Sequence, residues 1–141
     1  MYSSDDSEWS QHNPTSPLFN SLQSLFLKYG VDMYLSGHMH MFESIYPVDV
    51  NGTVVSKPQS YGGLTNVFVR PKSPVRVVQG TAGIFMFVDT YKNPAPEWSF
   101  ARDDKFGYGR LTFHNASLAQ FEYLETEHDN RAHPSSFYIL K

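Results

Sequence analysis

Two histidines one residue apart, His38 and His40, close a short apolar run in the stretch from Val31 to Glu43, which reads Val-Asp-Met-Tyr-Leu-Ser-Gly-His-Met-His-Met-Phe-Glu. Imidazole is a borderline ligand that suits zinc, iron and copper. Val31, Met33, Tyr34 and Leu35 make a run too short for a helix, so Val31 to Leu35 is predicted as a buried strand. Gly37 ends that strand and allows backbone conformations that a larger residue resists. The two histidines then fall on a tight turn at the strand's end. On a strand, side chains at i and i+2 point the same way. On a turn they can diverge, so that each imidazole reaches a different metal ion. The alternative is a pair of surface histidines on a loop; the strand ahead and the glycine at its exit weigh against it.

The rest of the chain must hold that turn in place. Ser16 to Tyr29 is predicted as a helix, with Pro17 in the first helical position and Ser16 or Thr15 as N-cap. Leu18, Leu22, Leu25, Phe26 and Tyr29 fall on one stripe, which is expected to pack on the sheet holding the Val31 strand. Gly30 suits the helix stop. Met41 to Val50 is predicted as a strand closed by Asn51-Gly52, a strong hairpin signal, with Thr53 to Ser56 returning. Lys57 to Thr65, with Pro58, Gly62 and Gly63, reads as a loop. Asn66 to Val69 and Val75 to Gln79 are further strands. The second runs into a glycine turn, Gly80 to Gly83, that lacks the Lys-Ser/Thr of a phosphate-binding loop. Asp89 to Lys105 reads as a long loop, either a lid or a solvated surface. Gly109 to His114 and Leu118 to Thr126 alternate and form a hairpin through Asn115-Ala116, with Leu111, Phe113, Phe121 and Tyr123 on apolar faces. Glu125 to Pro134 is read as polar loop and Ser136 to Leu140 as a last strand.

At 141 residues the chain is at most one domain, and 40% hydrophobic with 16% aromatic residues marks it as globular. The net charge is −3 and the basic residues are scattered, which weighs against a nucleic-acid partner. There are no cysteines, so disulfides and cysteine zinc sites are excluded. The apolar run Ile84 to Val88 is far short of a membrane span. The first residues show neither a basic nor an apolar region, and no signal peptide is expected in this chain.

The segment Gly37 to Glu43 resembles the last metal motif of the calcineurin-like metallophosphoesterases, Gly-His-x-His. Its continuation through Phe42 and Glu43 is similar to one branch, the purple acid phosphatases, although Ser44 stands where that branch usually has Arg. Phe106 to Ser117, reading Phe-Gly-Tyr-Gly-Arg-Leu-Thr-Phe-His-Asn-Ala-Ser, is similar to the C-terminal signature of the same branch. The resemblance covers nearly the whole chain and implies the C-terminal portion of such an enzyme. The fold implied is α+β: the C-terminal half of a metallophosphoesterase αββα sandwich, with one main helix and mostly antiparallel strands. Residues 1–70 would then be the end of the catalytic domain, and residues 71–141 the C-terminal region packed on it.

What the resemblance implies chemically is an acid phosphatase, a hydrolase cleaving phosphomonoesters by attack of metal-bound hydroxide at a binuclear centre of Fe(III) with Zn, Fe or Mn. By the same resemblance His38 binds the divalent ion and His40 the ferric ion. Glu43 supports them from behind, orienting a ligand histidine. His12 lies in the loop that carries substrate-facing histidines in the family, or is an ordinary loop histidine. His114, His128 and His133 fall in no family metal motif. The family's other ligands come in Asp-x-Gly, Gly-Asp-x-x-Tyr and Gly-Asn-His segments, and in a His-x-Pro ahead of a stretch like Tyr2-Ser3-Ser4; none of these occurs here. Two histidines are too few for two metals. The isolated chain is therefore expected to be inactive and to need a missing N-terminal half. Asn51 and Asn115 head glycosylation sequons, in keeping with the extracellular, lysosomal or vacuolar setting that the resemblance implies. Two rivals stand: a non-catalytic C-terminal module of the same fold, and a phosphodiesterase or nucleotidase of the same superfamily.

Overall fold

In the computed structural model, the residues described are 3–4, 17–83, 88–91, 93–128 and 131–141. One α-helix, α1 (Pro17–Tyr29), precedes the strands β1 (Met33–Ser36), β2 (Phe42–Ile45), β3 (Gln59–Tyr61), β4 (Leu64–Val69), β5 (Val75–Gln79), β6 (Ser99–Asp103), β7 (Gly107–Asn115), β8 (Leu118–Glu125), β9 (Arg131–Ala132) and β10 (Phe137–Leu140). The first sheet has the order β1-β5-β2-β6, and the second β3-β4-β10-β8-β7 with β9 on β8. Among the described residues, only β1 with β5 and β4 with β10 pair in parallel. The molecule is thus α+β with one helix and mostly antiparallel strands, as the resemblance implies. Both sheets draw strands from either side of residue 70.

Successive side chains on a strand point to opposite faces, and the buried residues sort accordingly. Phe42, Val75 and Val77 of the first sheet meet Phe68, Phe121, Tyr123, Phe137 and Ile139 of the second. The rings of Phe42 and Tyr123 are parallel with centroids 3.9 Å apart. Met41, Ile45, Val48 and Val78 form a separate buried cluster. Along its free edge β1 has no partner among the described residues, and its Leu35 is 49% exposed.

The helix does not dock through the expected stripe. Leu25 and Tyr29 are exposed, while Gln23 is buried at 1% exposure. The Gln23 amide donates to the Val48 carbonyl at 2.8 Å and to Ser73 Oγ at 3.2 Å. Its oxygen accepts from the guanidinium of Arg76, a buried residue of β5. A charged group inside a protein must be hydrogen-bonded, and the helix meets that demand with an amide rather than with leucines. Phe26 still packs as expected, 5.1 Å from the Tyr34 ring.

Several predicted loops are strands. Lys57 to Thr65 contains β3, the start of β4 and the turn between them, where Gly62 and Gly63 take φ of 58° and 84°. Two consecutive positive φ values are what a tight hairpin turn requires. Asp89 to Lys105 contributes β6, which pairs antiparallel with β2. Glu125 to Pro134 holds a short 3-10 turn and β9. Conversely, Met41 to Val50 is not one strand. Pro47 has no N–H to give a ladder, β2 stops at Ile45, and Asn51-Gly52 closes a single bridge from Val48 to Val54.

Candidate metal-binding turn

The turn from Gly37 to Met41 joins the ends of β1 and β2. His38 takes φ 80°, a left-handed conformation that a non-glycine residue adopts only when its surroundings impose it. The surroundings here are specific. The Met41 amide closes on the Met39 carbonyl at 2.8 Å, and the Gly80 amide donates to the Met41 carbonyl at 3.0 Å. Asp89 grips His40 from both sides: its carboxylate accepts from the His40 amide at 2.6 Å, and its own amide donates to the His40 carbonyl at 2.9 Å. A Cβ on Gly80 would lie 1.8 Å from the Met39 carbonyl oxygen, so only glycine lets the turn settle there. The His38 side chain stands in the open and His40 is half-buried. Among the described residues, no hydrogen bond occupies the imidazole nitrogens of either.

Glu43, fully buried on β2, accepts from the Ser4 amide at 2.7 Å, from Ser4 Oγ at 2.6 Å and from Ser99 Oγ at 2.6 Å. Burial pushes its carboxyl above the usual carboxylate range, against the opposing pull of the Ser4 and Ser99 bonds and of nearby Arg102. No imidazole touches the carboxylate among the described residues. It instead holds the Ser3–Ser4 segment against the turn, where Ser3 Oγ also meets Met41 Sδ at 3.3 Å.

The downstream signature braces the same strand. A Cβ on Gly107 would lie 2.6 Å from the Tyr123 ring, and one on Gly109 2.9 Å from the Phe121 ring. The Gly-Tyr-Gly sequence thus makes room for two rings of β8. Tyr123 donates to the Lys105 carbonyl at 2.6 Å and shares a 2.9 Å bond with Thr81. Burial, opposed by the Thr81 bond, leaves its phenol pushed up to about 12. Because Phe42 stacks on Tyr123, the two motifs read separately in the sequence meet in one packed layer.

The other singled-out residues are scattered. His12 lies outside the described residues, as does the His128 side chain. Asn51 and Asn115 are both exposed at turns, each within an Asx-type bond: Asp49 accepts from the Asn51 amide at 2.8 Å, and Asn115 from the Ser117 amide at 2.8 Å. His114 is exposed and bonded to Gln120. Sequence reasoning missed Asp89. Its one signal was position, an acidic residue directly after the apolar run that ends at Val88.

A turn carrying two open imidazoles at a strand end, on a two-sheet α+β scaffold, is the arrangement that the resemblance to metallophosphoesterases implies. Comparison with known proteins narrows this. Residues 73–133 match the family described as iron/zinc purple acid phosphatase-like protein C. Acid phosphatase type 7 of Danio rerio is 30% identical over 115 residues, covering 82% of this chain and 25% of the relative. The Arabidopsis thaliana protein named "Probable inactive purple acid phosphatase 27" is 32% identical over 121 residues, covering 86% of this chain and 18% of the relative. A solved purple acid phosphatase from yellow lupin seeds superposes with a TM-score of 0.81 at 26% identity, over 99% of this chain and 23% of that one. The chain carries the C-terminal region of a purple acid phosphatase, and it spans about a quarter or less of the length of these relatives.

That family implies a binuclear metal centre. His38 and His40 fit it as two of its ligands, being open imidazoles on a rigidly held turn. Among the described residues no third histidine, aspartate or glutamate converges on them, so a centre at this turn needs ligands beyond those described.

Proposed function

We propose that this chain supplies His38 and His40 to a metal-dependent acid phosphatase that hydrolyses phosphomonoesters, acting as the C-terminal part of that enzyme. His38 takes the divalent ion, zinc, iron or manganese, and His40 the ferric ion. The observation that carries the reading is the turn itself: a left-handed His38 and a twice-gripped His40, both with open imidazoles. A bound metal pair acidifies water, orients the phosphate and offsets charge that builds at phosphorus. The chain's own residues do the positioning. Asp89 fixes the His40 backbone, Gly80 seats the turn, and Glu43 draws the segment at Ser3–Ser4 to its side. Glu43 therefore acts on the approach of the preceding chain. The exposed Asn51 and Asn115 suit glycan attachment in an extracellular, lysosomal or vacuolar protein.

By this reading the isolated chain has no phosphatase activity, since two imidazoles hold two metals poorly. The test is a chain in which the N-terminal part of a relative is fused ahead of Met1, assayed for bound metal and for turnover of an aryl phosphate. His38→Ala is expected to lose chiefly the divalent ion and His40→Ala chiefly the ferric ion, each with turnover lowered by orders of magnitude. Full metal content and normal turnover with both replaced would overturn the assignment. A second reading, a non-catalytic module, draws support from the relative named inactive. It predicts no turnover from the fused chain even with both histidines intact.

A further inference from the structure

Asp103 ends β6, Glu125 ends β8 and His133 follows β9, and one ligating atom from each lies within 4.8 Å of the other two. None of the three belongs to the His38–His40 turn. We propose that they form a separate site for a divalent cation of the zinc type, which staples the first sheet to the second.

The geometry carries this in three ways. Asp103 Oδ2 and His133 Nε2 stand 3.4 Å apart, with side chains 8% and 22% exposed. That is longer than the usual N–H···O bond of up to about 3.2 Å, but it matches the separation of about 3.4 Å between donors on a tetrahedral zinc with ligands near 2.1 Å. Next, Asp103 and Glu125 bring two carboxylates to one half-buried place, an arrangement of charge that suits a divalent cation. Finally, the donors are built in. The Tyr91 hydroxyl donates to the Asp103 carbonyl and accepts from its amide at 3.1 Å, and the remaining Asp103 oxygen takes the Lys105 amide at 2.8 Å. The His133 amide is bonded to the Tyr123 carbonyl at 2.7 Å. The imidazole ring lies edge-on to Phe42 and Tyr123, with centroids at 6.2 and 6.3 Å.

The histidine has two neutral tautomers to choose from. Its Nδ1 accepts from the Ser135 amide at 3.2 Å and lies 2.6 Å from Ser135 Oγ. With Nδ1 accepting, Nε2 carries the proton and faces Asp103 in the ion-free chain. When the proton moves to Nδ1 and is given to Ser135 Oγ, the amide bond is lost and Nε2 offers a lone pair between the carboxylates. Ligand histidines ordinarily pass their other ring proton to a neighbouring acceptor, so the cation selects the second tautomer. One nitrogen and two carboxylate oxygens, with water in the fourth position, suit zinc.

The experiment uses the 141-residue chain with His38→Ala and His40→Ala, so that the turn cannot contribute. Zinc chloride is titrated calorimetrically and thermal unfolding is followed with and without it. One equivalent is expected to bind and to raise the unfolding midpoint. Asp103→Asn or His133→Gln, added to that background and checked for fold by circular dichroism, should weaken binding at least tenfold; His114→Ala should leave it unchanged. No saturable binding, or equal binding by the Asp103 and His133 variants, overturns the site. Nitrogen-15 spectra of the chain with this site unsubstituted give an independent reading. Zinc should move the His133 Nε2 resonance, and an unmoved resonance leaves an ion-free histidine–carboxylate pair in place of the site.

Discussion

His38 and Glu43 each occupy a state that an isolated residue would avoid. His38 pays backbone strain for its place on the turn, and Glu43 gives up water for three hydrogen bonds. The second has a consequence in solution. Burial raises the Glu43 carboxyl above its usual value of 4.5, so between that value and the raised one the folded chain holds more protons than the unfolded chain. Stability then falls as pH rises through that window and stays lower above it. Glu43→Gln should remove this slope, because an amide does not titrate there. Urea midpoints at a series of pH values from below 4.5 to neutrality measure it. A variant with the same slope as the unsubstituted chain would mean that the burial cost is already offset by Ser4, Ser99 and Arg102.

At the scale of elements, α1 is held by Gln23. Replacing it with leucine keeps the volume and fits the helical stripe better, yet removes the bonds to Val48, Ser73 and the buried Arg76. Gln23→Leu should cost roughly 2 kcal/mol, the scale of a buried hydrogen bond to a charged group. Leu25→Gln, on the exposed face, should cost much less. Denaturant unfolding of the two variants compares them directly. The same element marks the limit of sequence reading. The existence of α1 and of the β7–β8 hairpin was legible because each repeats its own period in apolar residues, and that of β1 because its apolar run is too short for a helix. Which face of α1 is buried was not, since it depends on Arg76, more than fifty residues away in the chain. The strands β3 and β6 were hidden for a related reason. Glycines and prolines nearby look like loop signals, while the pairing that makes them strands comes from β4 and β2. At the turn, the two histidines and the downstream signature were readable from local spacing. The grip of Asp89 and the convergence of Asp103, Glu125 and His133 were not, because each joins elements far apart in the chain.

At the scale of the molecule, the sheets meet across an aromatic layer, whereas among the described residues the first sheet ends at β1. A parallel strand is ordinarily covered on both sides. Here Leu35 is exposed beside a row of main-chain donors and acceptors that β5 satisfies on one side only. Such an unfinished border can template the addition of another strand. A solution of this chain alone should therefore grow concentration-dependent assemblies enriched in cross-strand structure, visible by light scattering and thioflavin fluorescence. Leu35→Lys, a charge set into the border, should slow that growth several-fold without altering the monomer's circular dichroism. Equal growth of both would locate the sticky surface elsewhere. For the chain on its own, the same border would make solubility, rather than folding, the property that decides how much of it can be recovered.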